Sequence, residues 1–246
     1  MPKRQVVIPT ERFESGGGLE IQTLVIAEAL ASRGWQVRSR TPHPDGDLSE
    51  RWHRLGPVSA GPLDPESIAE SLVRDEIVYC HEPNVAGRIH VLASNGVPVV
   101  AHLHMPEVHL RHGLARVARG RFRSALERQA FGPGSQFSAV IAVSKFTAAQ
   151  WCAGGLPRRL VSVVHNCLDP QRFPAAERSI EPARVRKVLG VPPGPVLLYL
   201  GRIDPKKGIE TALEVHRSVD RGRTTLLVVG GPTDAMGTDG CRYMDR

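Results

Sequence analysis

The sequence predicts an α/β protein built on parallel sheet, and two observations carry that prediction. Short apolar runs alternate with helix-length segments along nearly all 246 residues, the pattern left by successive strand–helix–strand units. Two of the turns that lead from an apolar run into a helix are rich in glycine, Ser15-Gly16-Gly17-Gly18 and Gly201-Arg202-Ile203-Asp204-Pro205-Lys206-Lys207-Gly208. Turns of that kind lie at the carboxyl ends of parallel strands, where such folds bind ligands.

Taken in order, Val6-Val7-Ile8 reads as a first strand. A strongly apolar helix follows from Leu19 to Ser32 and stops before Gly34, the residue type that closes helices. Gln36-Val37-Arg38 is a second strand. Thr41 to Pro65 is crowded with Pro and Gly and is expected to be the least regular part of this half. Further strands fall at Ile77–Cys80, Val97–His102 and Ala139–Val143, with helices at Asn84–Ser94, Leu114–Phe131 and Lys145–Ala153 between and after them. Val161–Val164 closes the unit. Asp169-Pro170, Phe173-Pro174 and Glu181-Pro182 interrupt regular structure, which puts a domain boundary near 168–182 and divides the chain into 1–170 and 171–246. The second part reads as a helix at 183–189, a strand at 195–200, a helix at 209–219 and a strand at 225–229. Those elements are too few to cover both faces of a parallel sheet, so this domain is expected to be incomplete.

Hydrophobic content of 41% and charged content of 23% suit an ordinary globular chain. No apolar run reaches membrane-spanning length, and the N-terminus lacks a secretory pattern. Cys80, Cys152, Cys167 and Cys241 show neither CxxC pairing nor a compact framework, so the cytoplasm is the expected location. A net charge of +7 suits an anionic partner. Aromatic residues are only 5% of the chain and are not interleaved with basic ones as base stacking requires, so no nucleic-acid partner is expected.

Three groups of residues carry chemistry. Gly201, Arg202, Lys207 and Gly208 sit between a strand end and a helix start, where backbone N–H groups and two cations suit a phosphate. Arg grips phosphate oxygens in pairs and Lys adds a mobile point charge. Gly16, Gly17 and Gly18 let backbone approach a ligand closely at the start of the first helix. They do not form GxGxxG, and alone they fit a flexible turn as well as an anion site. His102 and His104 are alternate residues of one strand and so share a face, with His109 and His112 nearby in sequence and His81 after another strand. A transition-metal site, structural histidines and ligand-facing histidines are all open readings here. No spacing matches a known metal motif, no metal is expected, and His104 at the strand end is favoured for substrate contact. Arg residues from Arg111 to Arg128 flank a rough helical stripe of Leu114, Val117, Phe122, Ala125 and Leu126. That stripe reads as a solvated helix face or, alternatively, as a peripheral membrane contact.

In order and spacing these motifs resemble glycosyltransferase family 4. The resemblance runs over nearly the whole chain, through Gly17-Gly18-Leu19-Glu20, Leu30 to Val37, Val97 to His104, Val143-Ser144-Lys145-Phe146-Thr147, Asn166-Cys167-Leu168-Asp169 and, most specifically, Gly201-Arg202 through Lys207-Gly208. Trp35 stands where the family often has His, and Cys167 where it usually has Gly. The resemblance implies a GT-B fold, two Rossmann-like domains facing a cleft, with 1–170 on the acceptor side and 171–246 on the donor side. It implies a retaining transfer of sugar from a nucleoside-diphosphate sugar to an acceptor hydroxyl; the acceptor stays open among a sugar, an aminocyclitol or other specialised metabolite, and a lipid or cell-envelope glycan.

By the same resemblance Arg202 and Lys207 bind the donor diphosphate and stabilise the leaving group. Gly16–Gly18 lie over the diphosphate or the acceptor, and His104 contacts the donor sugar. No cofactor or metal is implied beyond the sugar nucleotide as co-substrate. The family's acidic motif belongs downstream of the strand at 225–229, and Asp234, Asp239 and Asp245 do not reproduce it, so the chain is expected to be truncated in its C-terminal domain. Two alternatives stand beside transfer: a non-catalytic carbohydrate-binding or interaction module, and a nucleotide-sugar epimerase of the same architecture.

Overall fold

The computed structural model describes residues 4–14, 18–81, 83–104, 129–168, 181–203, 207–219 and 223–231. Two compact units divide the chain, Met1–Phe173 and Pro174–Arg246. The boundary expected between 170 and 171, and the Arg-rich helix expected at 114–131 up to residue 128, lie outside the described residues, as do His109 and His112.

The first unit is a seven-stranded, all-parallel sheet in the order β3-β2-β1-β4-β5-β6-β7. Its strands are β1 (Gln5–Pro9), β2 (Gln36–Thr41), β3 (Val58–Ala60), β4 (Glu76–Cys80), β5 (Val99–Leu103), β6 (Ala139–Ala142) and β7 (Val161–Val163). Helices α1 (Gly18–Ala31), α2 (Ser49–Leu55), α3 (Pro65–Ser71), α4 (Pro83–Ser94) and α5 (Lys145–Ala153) connect them. The order reverses beside β1, with β2 and β3 on one side and β4 to β7 on the other. Loops leaving β1 and β4 therefore part at a topological switch point, where doubly wound sheets hold ligands.

Alternation along the strands builds two cores. Val7, Val78, Cys80, Val99, Ala101 and Leu103 point to one face and pack with Ile68, Ile89, Phe131 and Trp151. Val6, Ile8, Val37 and Tyr79 point to the other and pack with Leu24 of α1, Trp52 of α2 and Phe13. Covering both faces is what a parallel sheet demands. The α1 helix ends as the sequence predicts: Gly34 takes φ +83° and the Trp35 amide reaches back to the Leu30 carbonyl at 3.2 Å, a closure that favours glycine at the turn.

The segment 41–65 departs from expectation. It contains α2 and β3 and runs directly into α3. Packing overrides its loop-like composition: Trp52 is buried and stacks on Phe13 with ring centroids 5.2 Å apart, while Arg51 grips Glu28 of α1 through two hydrogen bonds of 2.9 and 2.7 Å. Asp64 then caps α3 by accepting the Ser67 amide at 2.8 Å, with Pro65 opening the helix.

The second unit pairs β8 (Val196–Leu200) with β9 (Thr225–Val229) in parallel, accompanied by α6 (Pro182–Leu189) and α7 (Ile209–Val219). Among its described residues only Tyr199 and Ile209 are buried apolar side chains.

Candidate functional site

Three histidines meet at the carboxyl edge of the first unit's sheet. His102 lies in β5, His104 follows β5, and His81 follows β4. The parallel register pairs Cys80 with Ala101, which sets His81 level with His102. Because 99, 101 and 103 face the α4 side, 102 and 104 face the side covered by α1. The rings of His81 and His102 stand 4.6 Å apart, those of His102 and His104 4.4 Å, and those of His81 and His104 5.1 Å. His81 Nδ1 lies 3.0 Å from His104 Nε2, and the Tyr79 hydroxyl 2.9 Å from His102 Nδ1.

Burial governs their charge. Desolvation, reinforced by its two neighbours, holds the His81 pKa well below the ordinary imidazole value. Desolvation with a contribution from His104 lowers that of His102 to about 3, and desolvation lowers that of His104 to about 4. All three are neutral near pH 7. Tyr79 is pushed up by burial and keeps its proton. Of the three imidazoles only His104 is half-buried rather than buried, so it is the member open to a ligand.

On the same face, α1 starts at Gly18, where an added Cβ would meet nothing within 4 Å. Gly16 and Gly17 lie outside the described residues. One turn into α1, the Gln22 side chain clasps the loop after β7. Its amide nitrogen donates to the Cys167 carbonyl at 2.6 Å, and its oxygen accepts the Cys167 amide at 3.2 Å. The Asn166-Cys167-Leu168 turn singled out in the sequence is thus tied to the helix that the glycine loop introduces. Nothing in the spacing announces this pair, which stands 145 residues apart.

In the second unit, Gly201 and Arg202 follow β8, and Lys207 and Gly208 precede α7. Residues 204–206 of the turn are outside the described set. The Arg202 carbonyl accepts the Tyr199 hydroxyl at 2.8 Å, and the amides of Gly201 and Ile203 bind the carbonyls of Val229 and Gly231, each at 3.0 Å. Gly230 has φ +147°, and a Cβ there would collide with the Gly201 carbonyl. Gly201 and Ile203 are therefore clamped between the ends of β8 and β9, the Arg202 and Lys207 side chains are exposed, and Lys207 lies just ahead of the N-terminus of α7.

Residues 16–172, more than half of the chain, match the model of Glycosyltransferase Family 4. The chain belongs to that family. It is 29% identical, over 91% of its length, to the D-inositol 3-phosphate glycosyltransferase of Acidothermus cellulolyticus. It is 32% identical, over 57% of its length, to the 2-deoxystreptamine glucosyltransferase of Streptomyces kanamyceticus. These alignments cover 56% and 37% of the two relatives, so this family member spans about half or less of the curated relatives it matches. Among solved structures, Anabaena Alr3699/HepE in complex with UDP superposes with a TM-score of 0.72 at 17% identity, over 98% of this chain and 64% of that one. WaaG, a glycosyltransferase involved in lipopolysaccharide biosynthesis, gives 0.67 at 18%, over 97% and 67%. The fold is α/β of the GT-B type, as the sequence predicts. No described helix is long and apolar enough to cross a membrane.

Proposed function

We propose that this family 4 member transfers a sugar, with retention, from a nucleoside-diphosphate sugar to a hydroxyl of a small polyhydroxylated acceptor of the cyclitol or aminocyclitol class. The observation that carries the reading is the family match over residues 16–172, which spans the glycine loop and the His104 strand end. The Gly201–Gly208 sequence supports a diphosphate site: Arg202 and Lys207 are both exposed, and Lys207 lies just ahead of the N-terminus of α7, where backbone N–H groups lack helical partners. Arg202 pairs with phosphate oxygens and Lys207 adds charge, and both stabilise the leaving nucleoside diphosphate as negative charge grows on it. Neutral His104 offers a hydrogen bond to the donor sugar without adding charge. Gly16, Gly17 and Gly18 let backbone lie close to diphosphate or acceptor.

The donor class is supported by the neighbours solved with UDP and with UDP-glucose. The acceptor class is supported by the two curated relatives, whose names both specify a six-membered carbocyclic polyol. A cytoplasmic location, where sugar nucleotides are available, completes the reading.

Incubating the purified protein with UDP-glucose and a panel of inositol phosphates and 2-deoxystreptamine tests it. The expected result is acceptor-dependent UDP release and an axial anomeric linkage by NMR. Arg202→Ala lowers kcat/KM about 10²–10³-fold, the scale of losing one preorganised charge-stabilising donor. Acceptor binding without turnover would instead establish the carbohydrate-binding module, and UDP release that ignores the acceptor the epimerase-like reading.

A further inference from the structure

We propose that His81, His102 and His104 together form a binding site for one divalent transition-metal ion of the imidazole-preferring kind, with zinc as the type. The sequence shows no metal-ligand spacing because the three residues come from two strand ends, and only the β4–β5 register brings them level.

Geometry carries the inference. Each imidazole offers one nitrogen, and the three nitrogens lie within 4.8 Å of one another. In a tetrahedral zinc site with Zn–N near 2.0–2.1 Å, ligand nitrogens stand about 3.4 Å apart, so ring rotations of about an ångström close the set. Two ring nitrogens of the cluster are unengaged. Among the described residues, His81 Nε2 and His102 Nε2 are buried and have no hydrogen-bond partner. A buried polar atom without a partner is costly, and here two occur within one cluster.

In the tautomers that put the proton on His102 Nδ1, facing the Tyr79 oxygen, and on His81 Nδ1, facing His104 Nε2, both Nε2 atoms carry lone pairs, and His104 Nε2 ligates in place of its contact with His81. A ligating histidine held in place through its other N–H is the usual second layer of a metal site. An all-nitrogen donor set selects Zn²⁺, Co²⁺, Ni²⁺ or Cu²⁺ over Mg²⁺ or Ca²⁺. Three protein ligands leave a fourth position, on the side where half-buried His104 opens to solvent. The site lies wholly within the first unit and takes His104, which the transfer reading gives to the donor sugar, so its test reads metal content rather than transfer.

The test uses the full 246-residue chain, with cysteine thiols alkylated, loaded with ZnCl₂ and passed through metal-free gel filtration. About one zinc per chain by elemental analysis is expected, together with Co²⁺ titration producing the visible bands of a tetrahedral nitrogen site. Zinc should also raise the unfolding temperature, since a ligand bound only by the native state stabilises it. His104→Ala, at the half-exposed member, should weaken Co²⁺ binding at least tenfold, and His102→Gln should do the same where it folds. Substoichiometric zinc in the native protein overturns the proposal. So does undiminished Co²⁺ affinity in folded His104→Ala, since the ion would then sit on other histidines.

Discussion

Residues Met1–Phe173 and Pro174–Arg246 follow the same strand–helix alternation, yet they treat their sheets differently. In the first unit the central strands β1, β4 and β5 are buried on both faces, and side chains such as Trp52 at 2% exposure and Ile89 at 0% are sealed. In the second, Leu198 and Leu200 of β8 are 55% and 75% exposed, and Val228 and Val229 of β9 are 38% and 41%. Apolar composition therefore does not make a core. Strands of equal hydrophobicity become interior only where helices cover each face. The first unit has two buried cores, and its candidate site lies at the carboxyl edge of the sheet between them. The phosphate-friendly turn of the second unit is held mainly by backbone hydrogen bonds at the ends of two strands.

The largest expected effect that sharpens this contrast is the loss of a core side chain. Trp52→Ala should destabilise the first unit by about 3–5 kcal/mol, while Leu200→Ala should change stability by less than about 0.5 kcal/mol. Urea unfolding of both variants checks the pair, and comparable costs at the two positions would break the comparison.

Next in size is a pH effect confined to the first unit. All three clustered histidines have folded pKa values below 6.5, two of them at about 3 and about 4. Below pH 6.5 the unfolded chain takes up protons that the folded chain refuses, so the stability they contribute is present above pH 6.5 and is lost as pH falls toward 4. Denaturation in EDTA should show a loss of at least about 1 kcal/mol over that window, and His102→Gln should flatten the slope. A slope unaffected by that substitution would assign the effect to other groups.

The smallest effect belongs to a clasp. Gln22→Ala removes both hydrogen bonds to Cys167 and should cost about 1 kcal/mol, read as faster hydrogen exchange of the Cys167 amide with exchange in β1 unchanged.

Much of the fold was legible because a parallel α/β sheet writes itself as apolar runs separated by helices. Gln5–Pro9, Lys145–Ala153, Ile209–Val219 and Thr225–Val229 fall within a residue or so of their expected places. The failure at 41–65 has a definite cause. Seven-residue α2 has little local signal of its own, and it is held by Trp52 on Phe13 and Arg51 on Glu28, partners 39 and 23 residues away in sequence. The candidate site was legible in the same uneven way. His102, His104 and Arg202 stand at strand ends that periodicity reveals, and Lys207 just ahead of a helix start. His81 was visible only as a histidine after another strand, and Gln22 carried no signal.

What the sequence determined by itself is the set of elements and the residue types at their ends, since helix and strand periodicity, glycine turns and capping residues are local properties of the chain. What only the tertiary structure decided is which strand ends become neighbours. The reversal of strand order beside β1, and the register that sets Cys80 beside Ala101, turn three separate histidines into one neutral cluster with two members buried and His104 half-buried. Register is fixed by packing across the whole sheet, and no single segment encodes it.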